Sequence, residues 1–207
     1  MHATDVLKTV LPTLPRITVH GYWSRVVGLH LLKGPPPAAP SGGRPQPLWP
    51  GGSAVHGARY TPKGGFGSIY LASDPITALK EVVAVIETPY APAFTLRTHP
   101  WAVFAVGGVL CEILDLADDV VQSALGTTLA ELTGDWAITQ AMGQVPPTQS
   151  LGQAAYDCKA ILGFRYPSVK NLGKGIGLVV FADRLKDKPP SFLEVYDPYL
   201  GFSQRLP

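Results

Sequence analysis

The chain has 207 residues, of which 46% are hydrophobic and 15% are charged, and its formal net charge is +2 at pH 7. A chain of this length can form one folded domain with a substantial core, and it needs no disulfide or metal to hold that core together. The small net charge gives no support for nucleic-acid binding, and the composition excludes a fibrous repeat or a disordered tail.

The two halves of the chain differ in the sign of their charge. Residues 1–100 carry nine Lys or Arg and four Asp or Glu, whereas the remainder carries eight and eleven. No Lys or Arg lies between Arg97 and Lys159, and six acidic residues of this interval fall within residues 112–135. The stretch is typical of a solvated acidic surface, and a docking face for a basic partner is the alternative.

Cysteine usage and hydropathy point to a compartment. Cys111 and Cys158 are far apart and belong to no Cys-X-X-Cys or Cys/His cluster, so we expect neither a disulfide framework nor a metal site, and we expect the cytoplasm. The amino terminus lacks the basic start and unbroken apolar core of a signal peptide. The longest apolar run, residues 101–111, is shorter than the roughly 20 residues of a membrane span, so no span is expected.

The N-terminal part of the chain predicts a helix, a strand and a loop. Residues 1–20 are typical of a short helix or arm that ends at Pro12 and Pro15. Residues 22–27 alternate as a first strand, which orients Arg25 on one face. Residues 33–57 are crowded with Pro, Gly and Ser, which disfavour both helix and sheet, so this stretch is predicted to form a long loop.

The clearest local pattern is a turn, a strand and a helix in direct succession. The glycine-rich residues 63–67 predict the turn, and the β-favouring residues 68–72 predict the strand. Asp74 and Pro75 then supply an N-cap oxygen and a first helical residue. Apolar residues recur at helical spacing from there to Ile86, so the helix is expected to follow the strand at once.

Glu81 falls at the edge of the apolar stripe of that helix. From this position its side chain can reach into a groove, whereas Lys80 and Glu87 are predicted to point outward. An ordinary glutamate at the boundary between core and solvent is the alternative, and geometry alone favours it.

The second half of the chain predicts further strands and helices. They are a strand at 101–110 with a bulge at 107–108, a helix from 118 to 132 limited by Gly126 and Gly134, a helix at 148–162 ended by Gly163, a turn at 170–175, a strand at 176–181, and a tail after Lys188 along the surface. Strands and helices do not alternate regularly. The order therefore favours an α+β fold, a single domain with mixed β-sheets and flanking helices, over a parallel doubly wound sheet.

Several common catalytic motifs have no match in the sequence. The glycine-rich segments 63–68 and 173–177 fit neither phosphate-loop nor dinucleotide-binding spacing, so both are interpreted as turns. No G-x-S-x-G elbow occurs, and the five histidines form no paired motif, so a Ser/His hydrolase has little support.

Six residues stand out as an ordered set, namely Arg25, Arg59, Tyr60, Tyr70, Glu81 and Ser168. Taken singly, the arginines fit surface ion pairs and the tyrosines fit core packing. With their neighbours at residues 23–27, 58–60, 68–72, 77–81 and 166–168, they resemble the RES domain family, named for its Arg, Glu and Ser, and the pieces occur in the family's order. The resemblance covers roughly residues 20–186. The stretch between Arg25 and Arg59 is longer than is usual in the family, and a tail follows.

The resemblance implies an ADP-ribosyltransferase-like fold and an enzyme that consumes NAD or transfers ADP-ribose from it. It implies a catalytic domain at residues 21–188, with an arm at 1–20 and a tail at 189–207. Family members known as toxins of toxin–antitoxin pairs imply a cognate helix-turn-helix antitoxin as a partner. NAD is expected as the substrate without a metal, no nucleic acid or membrane is expected as a partner, and homo-oligomer formation is left open.

The residue chemistry is compatible with these implications. Cleavage of the nicotinamide–ribose bond develops positive charge on the ribose, which a carboxylate at Glu81 would stabilise in the transition state. Arg25 and Arg59 suit the diphosphate, because the planar guanidinium offers several charge-assisted hydrogen bonds.

An aromatic ring and a hydroxyl complete the hypothesis. Tyr60 or Tyr70 would stack on nicotinamide, and Ser168 would orient Glu81 or a ribose oxygen. The favoured function is cleavage of NAD with water or inorganic phosphate as the acceptor. Transfer of ADP-ribose to a protein by the same site is the nearest alternative, and a non-catalytic nucleotide-binding module is the second.

Overall fold

The computed structural model describes residues 1–32, 45–82, 100–171, 173–199 and 201–207. The helices within these residues are α1 (Thr4–Val10), α2 (Gly51–His56), α3 (Pro75–Glu81), α4 (Asp119–Ala124), α5 (Leu129–Thr133), α6 (Trp136–Ala141) and α7 (Pro147–Cys158). The strands are β1 (Ile17–Gly28), β2 (Ser68–Ala72), β3 (Trp101–Asp115), β4 (Gly163–Pro167), β5 (Ile176–Phe181), β6 (Phe192–Asp197) and β7 (Phe202–Leu206). Short 3-10 helices lie at Leu11–Thr13, Leu29–Leu31 and Ala182–Asp187.

The described strands form one mixed sheet in the order β1-β2-β5-β4-β3-β6-β7. β3 also pairs with β1 along most of its length, which closes the first five strands of that order into a ring. The β3–β4 pair is parallel, and the other described pairs are antiparallel. With helices flanking this sheet, the predicted α+β fold is confirmed.

Two clusters of buried side chains hold the sheet and helices together. One cluster joins the sheet to α1 and α7 and includes Leu7 and Leu151. The other comes mainly from the strands and includes Ile69 and Leu178. Each of these side chains is fully buried, which contributes about 1.5–3 kcal/mol per residue. The N-terminal helix is therefore part of the core.

The predicted turn, strand and helix are confirmed as far as Glu81. β2 and α3 lie where the glycines, Asp74 and Pro75 predict them, and the Asp74 carboxylate accepts the Thr77 N–H at 2.8 Å. The predicted extension of the helix to Ile86, with Glu87 pointing outward, lies outside the described residues. Strands are also present at 22–27, 101–110 and 176–181, the first two as parts of the longer β1 and β3.

The predicted surface tail after Lys188 is wrong. β6 pairs with β3, and β7 pairs with β6, so the tail extends the sheet. Leu193 and Val195 are buried while Tyr196 is 69% exposed, which is the alternation of a strand with one face on the core. The domain boundaries at residues 20 and 188 stay predictions.

The predicted bulge at residues 107–108 is also wrong. The β1–β3 register runs without a shift through Gly107 and Gly108, and the irregularity lies near Glu112, whose φ is 60°. A Cβ at Gly108 would lie 2.4 Å from the Phe192 carbonyl oxygen. This glycine thus allows β6 to approach closely.

Three predicted assignments of loop and helix are corrected. Residues 51–56 form α2 inside the stretch predicted as loop, whereas residues 33–44 lie outside the described part. The single helix predicted from 118 to 132 is two short helices, α4 and α5, because Thr128 caps a new start. Asp135 then caps α6, which the sequence analysis did not predict. The helix predicted to end at Gly163 ends at Cys158, and Gly163 begins β4.

None of the helices in the described ranges has the length and apolar character needed to cross a lipid bilayer. In the same ranges, no group of three or more His, Cys, Asp or Glu side chains is arranged to hold a metal ion.

Candidate active site

A cavity of about 300 Å³ lies against β1, β2, α2, α3 and the start of α6. Four of the six predicted site residues line it, namely Arg25, Arg59, Tyr70 and Glu81. The other two, Tyr60 and Ser168, are fully buried and are not part of its wall. Residues that are far apart in the sequence are therefore brought to one cavity.

Glu81 is the last residue of α3, and its half-buried side chain lies in the cavity wall. The Ser168 hydroxyl donates a hydrogen bond of 2.5 Å to Glu81 Oε1. Ser168 Oγ in turn accepts the Asn171 N–H at 3.2 Å. A hydroxyl that accepts from a backbone N–H directs its own proton elsewhere, here to the carboxylate. Ser168 thus orients Glu81 from behind the wall.

Lys80 does not point outward as predicted. It is buried, and its Nζ donates to Asn171 Oδ1 at 2.9 Å. Asn171 and Gly175 of the loop after β4 pack on this side of α3, so a face that a single helix would expose to water is covered. The stem and charge of Lys80 are part of the support behind the cavity.

Arg25 presents a buried and incompletely paired cation to the cavity. Its Nη2 donates to the Trp49 carbonyl at 2.8 Å, whereas the buried Nε and Nη1 have no hydrogen-bond partner in the described structure. Burial lowers the pKa of Arg25 to about 10, so the side chain still carries its charge at neutral pH. Unsatisfied charged donors of this kind are costly unless an anion binds them. The arrangement suits a phosphate or carboxylate group.

Arg59 has a different environment. Its Nη1 donates to the Leu132 carbonyl at 2.9 Å and to the Gly134 carbonyl at 2.8 Å. It therefore holds the connection between α5 and α6, which carries Trp136 into the cavity wall. Contact with a bound diphosphate would use the other guanidinium nitrogens of Arg59.

The tyrosines form a layer behind and within the wall. The Tyr60 ring packs edge-on against Phe164 and Tyr166, with centroid distances of 5.1 and 5.0 Å. Tyr70 lines the cavity, and its hydroxyl accepts the Tyr60 N–H at 3.0 Å. Burial raises the pKa of the Tyr60 hydroxyl above its ordinary value, and the Glu81 carboxylate acts in the same direction. These tyrosines stay neutral, and a ring in the cavity can reach Tyr70 but not the buried Tyr60.

The sequence analysis did not assign three aromatic residues of the wall to the site. Trp49 and Trp136 line the cavity and are half-buried, and the buried Tyr166 lines it as well. Trp49 lies in the Pro- and Gly-rich stretch, where composition hides the adjacent Leu48, a fully buried residue. α2 is attached to β2 by the Ser53 hydroxyl, which accepts the Ser68 N–H at 2.8 Å. Gln46, Trp49, Gly52 and Ser53 of the predicted loop thus form part of the cavity wall.

The fold and site together define a single α+β domain with a carboxylate and an incompletely paired guanidinium in one cavity. The sequence model of the RES domain matches residues 32–198, and the chain therefore belongs to the RES domain family. This match starts after Arg25 and extends beyond Lys188, whereas the resemblance seen in the sequence covers roughly residues 20–186.

A solved structure shares the fold. The chain is similar to one in the crystal structure of the M. tuberculosis MbcT–MbcA toxin–antitoxin complex, with a TM-score of 0.67 and 21% identity over 99% of this chain and 94% of that chain. This likeness shows that the two chains share a fold, and the ADP-ribosyltransferase-like character of that fold stays a prediction. No curated protein sequence gives a significant match.

Proposed function

We propose that the protein is a cytoplasmic enzyme that cleaves NAD at the nicotinamide–ribose bond, with water or inorganic phosphate as the acceptor. One observation carries the proposal: the oriented carboxylate of Glu81 and the incompletely paired guanidinium of Arg25 line the same cavity. Membership of the RES domain family supports it.

Glu81 would act on the bond that breaks. As the bond from ribose C1′ to the nicotinamide nitrogen lengthens, its electron pair moves to that nitrogen and neutral nicotinamide leaves. The ribose then carries oxocarbenium-like positive charge, which a nearby carboxylate stabilises more than it stabilises the substrate. An oxygen of water or phosphate forms the new bond to C1′ and the proton of water is released, which gives ADP-ribose or its phosphate ester.

Arg25 would hold the other part of the substrate. Its free Nε and Nη1 donors match a diphosphate oxygen pair, and each charge-assisted hydrogen bond contributes about 1.5–3 kcal/mol. Arg59 would add a second cation beside it. Tyr70, Trp49 and Trp136 would supply the aromatic surfaces against which the flat rings of a dinucleotide pack.

We also propose that the protein is the toxin of a toxin–antitoxin pair, with a helix-turn-helix antitoxin as its partner. Support comes from the family and from the solved complex whose fold it shares. The acidic stretch 112–135 is the candidate docking face. Part of its charge is engaged within the chain, since Glu112 pairs with Arg16 at 2.5 Å and Asp115 with Arg165 at 2.5 Å. Growth arrest on expression, relieved by a neighbouring gene, is expected, and harmless expression would contradict the toxin proposal.

The test of the enzymatic proposal is to incubate the purified protein with NAD, with and without phosphate, and to identify the products by mass spectrometry. Free nicotinamide is expected together with ADP-ribose, or with its phosphate ester when phosphate is present. Label from the adenylate moiety on protein would favour the transferase instead. NAD that binds but stays intact under both conditions would favour the non-catalytic binding module and overturn the proposal.

A further inference from the structure

Asn171 has all four of its polar groups engaged where the loop after β4 meets α3. Its Oδ1 accepts from Lys80 Nζ at 2.9 Å, and its Nδ2 donates to Thr77 Oγ1 at 2.8 Å. Its backbone N–H donates to Ser168 Oγ at 3.2 Å, and its carbonyl accepts the Gly175 N–H at 2.9 Å. One residue thus joins the helix that carries Glu81 to the hydroxyl that orients Glu81.

The hydrogen bonds of this network have a fixed direction. An ammonium group and an amide NH₂ can only donate hydrogen bonds. Lys80 Nζ therefore needs Asn171 Oδ1 as its acceptor, and Asn171 Nδ2 donates to Thr77 Oγ1. Thr77 then donates its own proton to Asp74 Oδ2 at 2.5 Å. A reversed amide would face Lys80 with a second donor, so the Asn171 side chain has one favourable orientation.

The loop also packs on α3 without space between them. A Cβ at Gly175 would lie 2.4 Å from Thr77 Oγ1 and 3.1 Å from Asn171 Nδ2. The Ser168 N–H donates to the Gly175 carbonyl at 2.9 Å. Ser168 is therefore tied to the same loop, and a shift of the loop would move its hydroxyl relative to Glu81.

We propose that Asn171 is a positioning residue for NAD cleavage, acting through Ser168 to hold the Glu81 carboxylate in its reactive orientation. The inference rests on the proposed function. Asn171 does not line the cavity, so its contribution concerns the placement of a catalytic group and not the binding of substrate. A misplacement of about 1 Å can cost a catalytic group about 100-fold in rate.

The test compares Asn171→Ala and Asn171→Asp with Lys174→Ala, a change to an exposed side chain of the same loop. We expect Asn171→Ala to lower kcat about 10-fold while KM for NAD stays within about twofold. Asn171→Asp keeps the acceptor for Lys80 but loses the donor to Thr77, so its kcat should fall between those of Asn171→Ala and the wild type. Lys174→Ala should keep the wild-type kcat.

A second pair of variants separates positioning from general stability. Thr77→Val removes the hydroxyl that receives Asn171 Nδ2 and should lower kcat in the same way, whereas Thr77→Ser keeps the hydroxyl and should restore it. An unchanged kcat in folded Asn171→Ala, or a rise in KM without loss of kcat, would overturn the proposal.

Hydrogen exchange of the amides of residues 168–175 distinguishes failure of this inference from failure of the proposed function. Faster exchange is expected in Asn171→Ala and not in Lys174→Ala, because the loop loses its contacts with α3. A wild-type protein that leaves NAD intact would remove the proposed function. Unchanged exchange in Asn171→Ala would then overturn the positioning role, and faster exchange would support it.

Discussion

The two charged side chains Glu81 and Arg25 of the cavity wall differ in how far the chain satisfies their polar groups. Glu81 accepts a hydrogen bond of 2.5 Å from Ser168, which Asn171 holds in turn. Arg25 makes one hydrogen bond to the Trp49 carbonyl, and its buried Nε and Nη1 lack a partner in the described structure. Both side chains line one cavity.

This difference suits two separate roles within one site, the stabilisation of a transition state and the binding of an anion. A carboxylate whose orientation is fixed before the substrate arrives suits a group that stabilises a transition state. A buried cation with free donors raises the free energy of the empty protein, and a bound anion would offset that cost. Under the proposed function, Glu81 acts on the reacting bond and Arg25 holds the diphosphate.

The largest expected effect comes from removing the hydrogen-bonded carboxylate of Glu81. Glu81→Ala should keep the fold but lower NAD turnover by about 100-fold or more, the scale of losing a preorganised transition-state contact. KM should change little. Glu194→Ala is a matched control, because that glutamate is half-buried like Glu81 and pairs only with Arg205 at 3.2 Å among the described residues. Unchanged turnover in folded Glu81→Ala would remove Glu81 from the mechanism.

The next largest effect is expected from removing the incompletely paired cation of Arg25. Arg25→Met should raise KM for NAD about 10- to 100-fold, because each lost charge-assisted hydrogen bond contributes about 1.5–3 kcal/mol. The fall in kcat should be smaller than in Glu81→Ala. If kcat fell strongly while KM stayed constant, Arg25 would act on the reacting bond, and the division of roles between Glu81 and Arg25 would be wrong.

The thermal midpoint provides a second measurement of the same change. ADP should raise the midpoint of the wild type and of Arg205→Met, a change at an exposed arginine, since a ligand that binds the native state stabilises it. It should not raise that of Arg25→Met. Without ligand, Arg25→Met should be no less stable than the wild type, because an unpaired buried charge is lost.

Local chemistry explains what the sequence could predict. Asp74 and Pro75 determine where α3 begins, and a helix begun there brings Glu81 to the cavity. The α+β class follows from the irregular order of elements. The roles assigned to the site residues stay predictions, but four of the six positions lie in one cavity wall.

Contacts between distant parts of the chain explain what the sequence could not predict. Lys80 appears on the outer face of a helical wheel, but Asn171, 91 residues later in the chain, contacts it in the folded structure. The alternation of Leu193 and Val195 with exposed Tyr196 was a readable strand signal, but the composition of the tail obscured it. Tyr60 carries a pattern that fits a ligand contact equally well as core packing, and its burial beneath the wall decides for packing.

The smallest expected effect concerns Asp74, the N-cap of the helix that carries Glu81. Asp74→Ala removes the carboxylate that caps α3 through the Thr77 N–H and accepts the Thr77 hydroxyl proton. Loss of an N-cap costs about 1 kcal/mol, so the free energy of unfolding at pH 7 should fall by about that amount. Urea unfolding of the two proteins measures the difference.

The pH dependence of that difference tests its electrostatic origin. Partial burial acts to raise the pKa of Asp74, but the hydrogen bonds from Thr77 prevail and lower it below its ordinary value of 3.8. A carboxyl with a lowered pKa in the folded state adds stability above its unfolded pKa and loses it as the pH falls through the folded value. The gap between wild type and Asp74→Ala should therefore be full at pH 7 and shrink below about pH 3.8. A difference in the free energy of unfolding that stayed constant down to pH 2 would mean that Asp74 supports α3 through neutral contacts. The placement of Glu81 on that helix would then not depend on a charged cap.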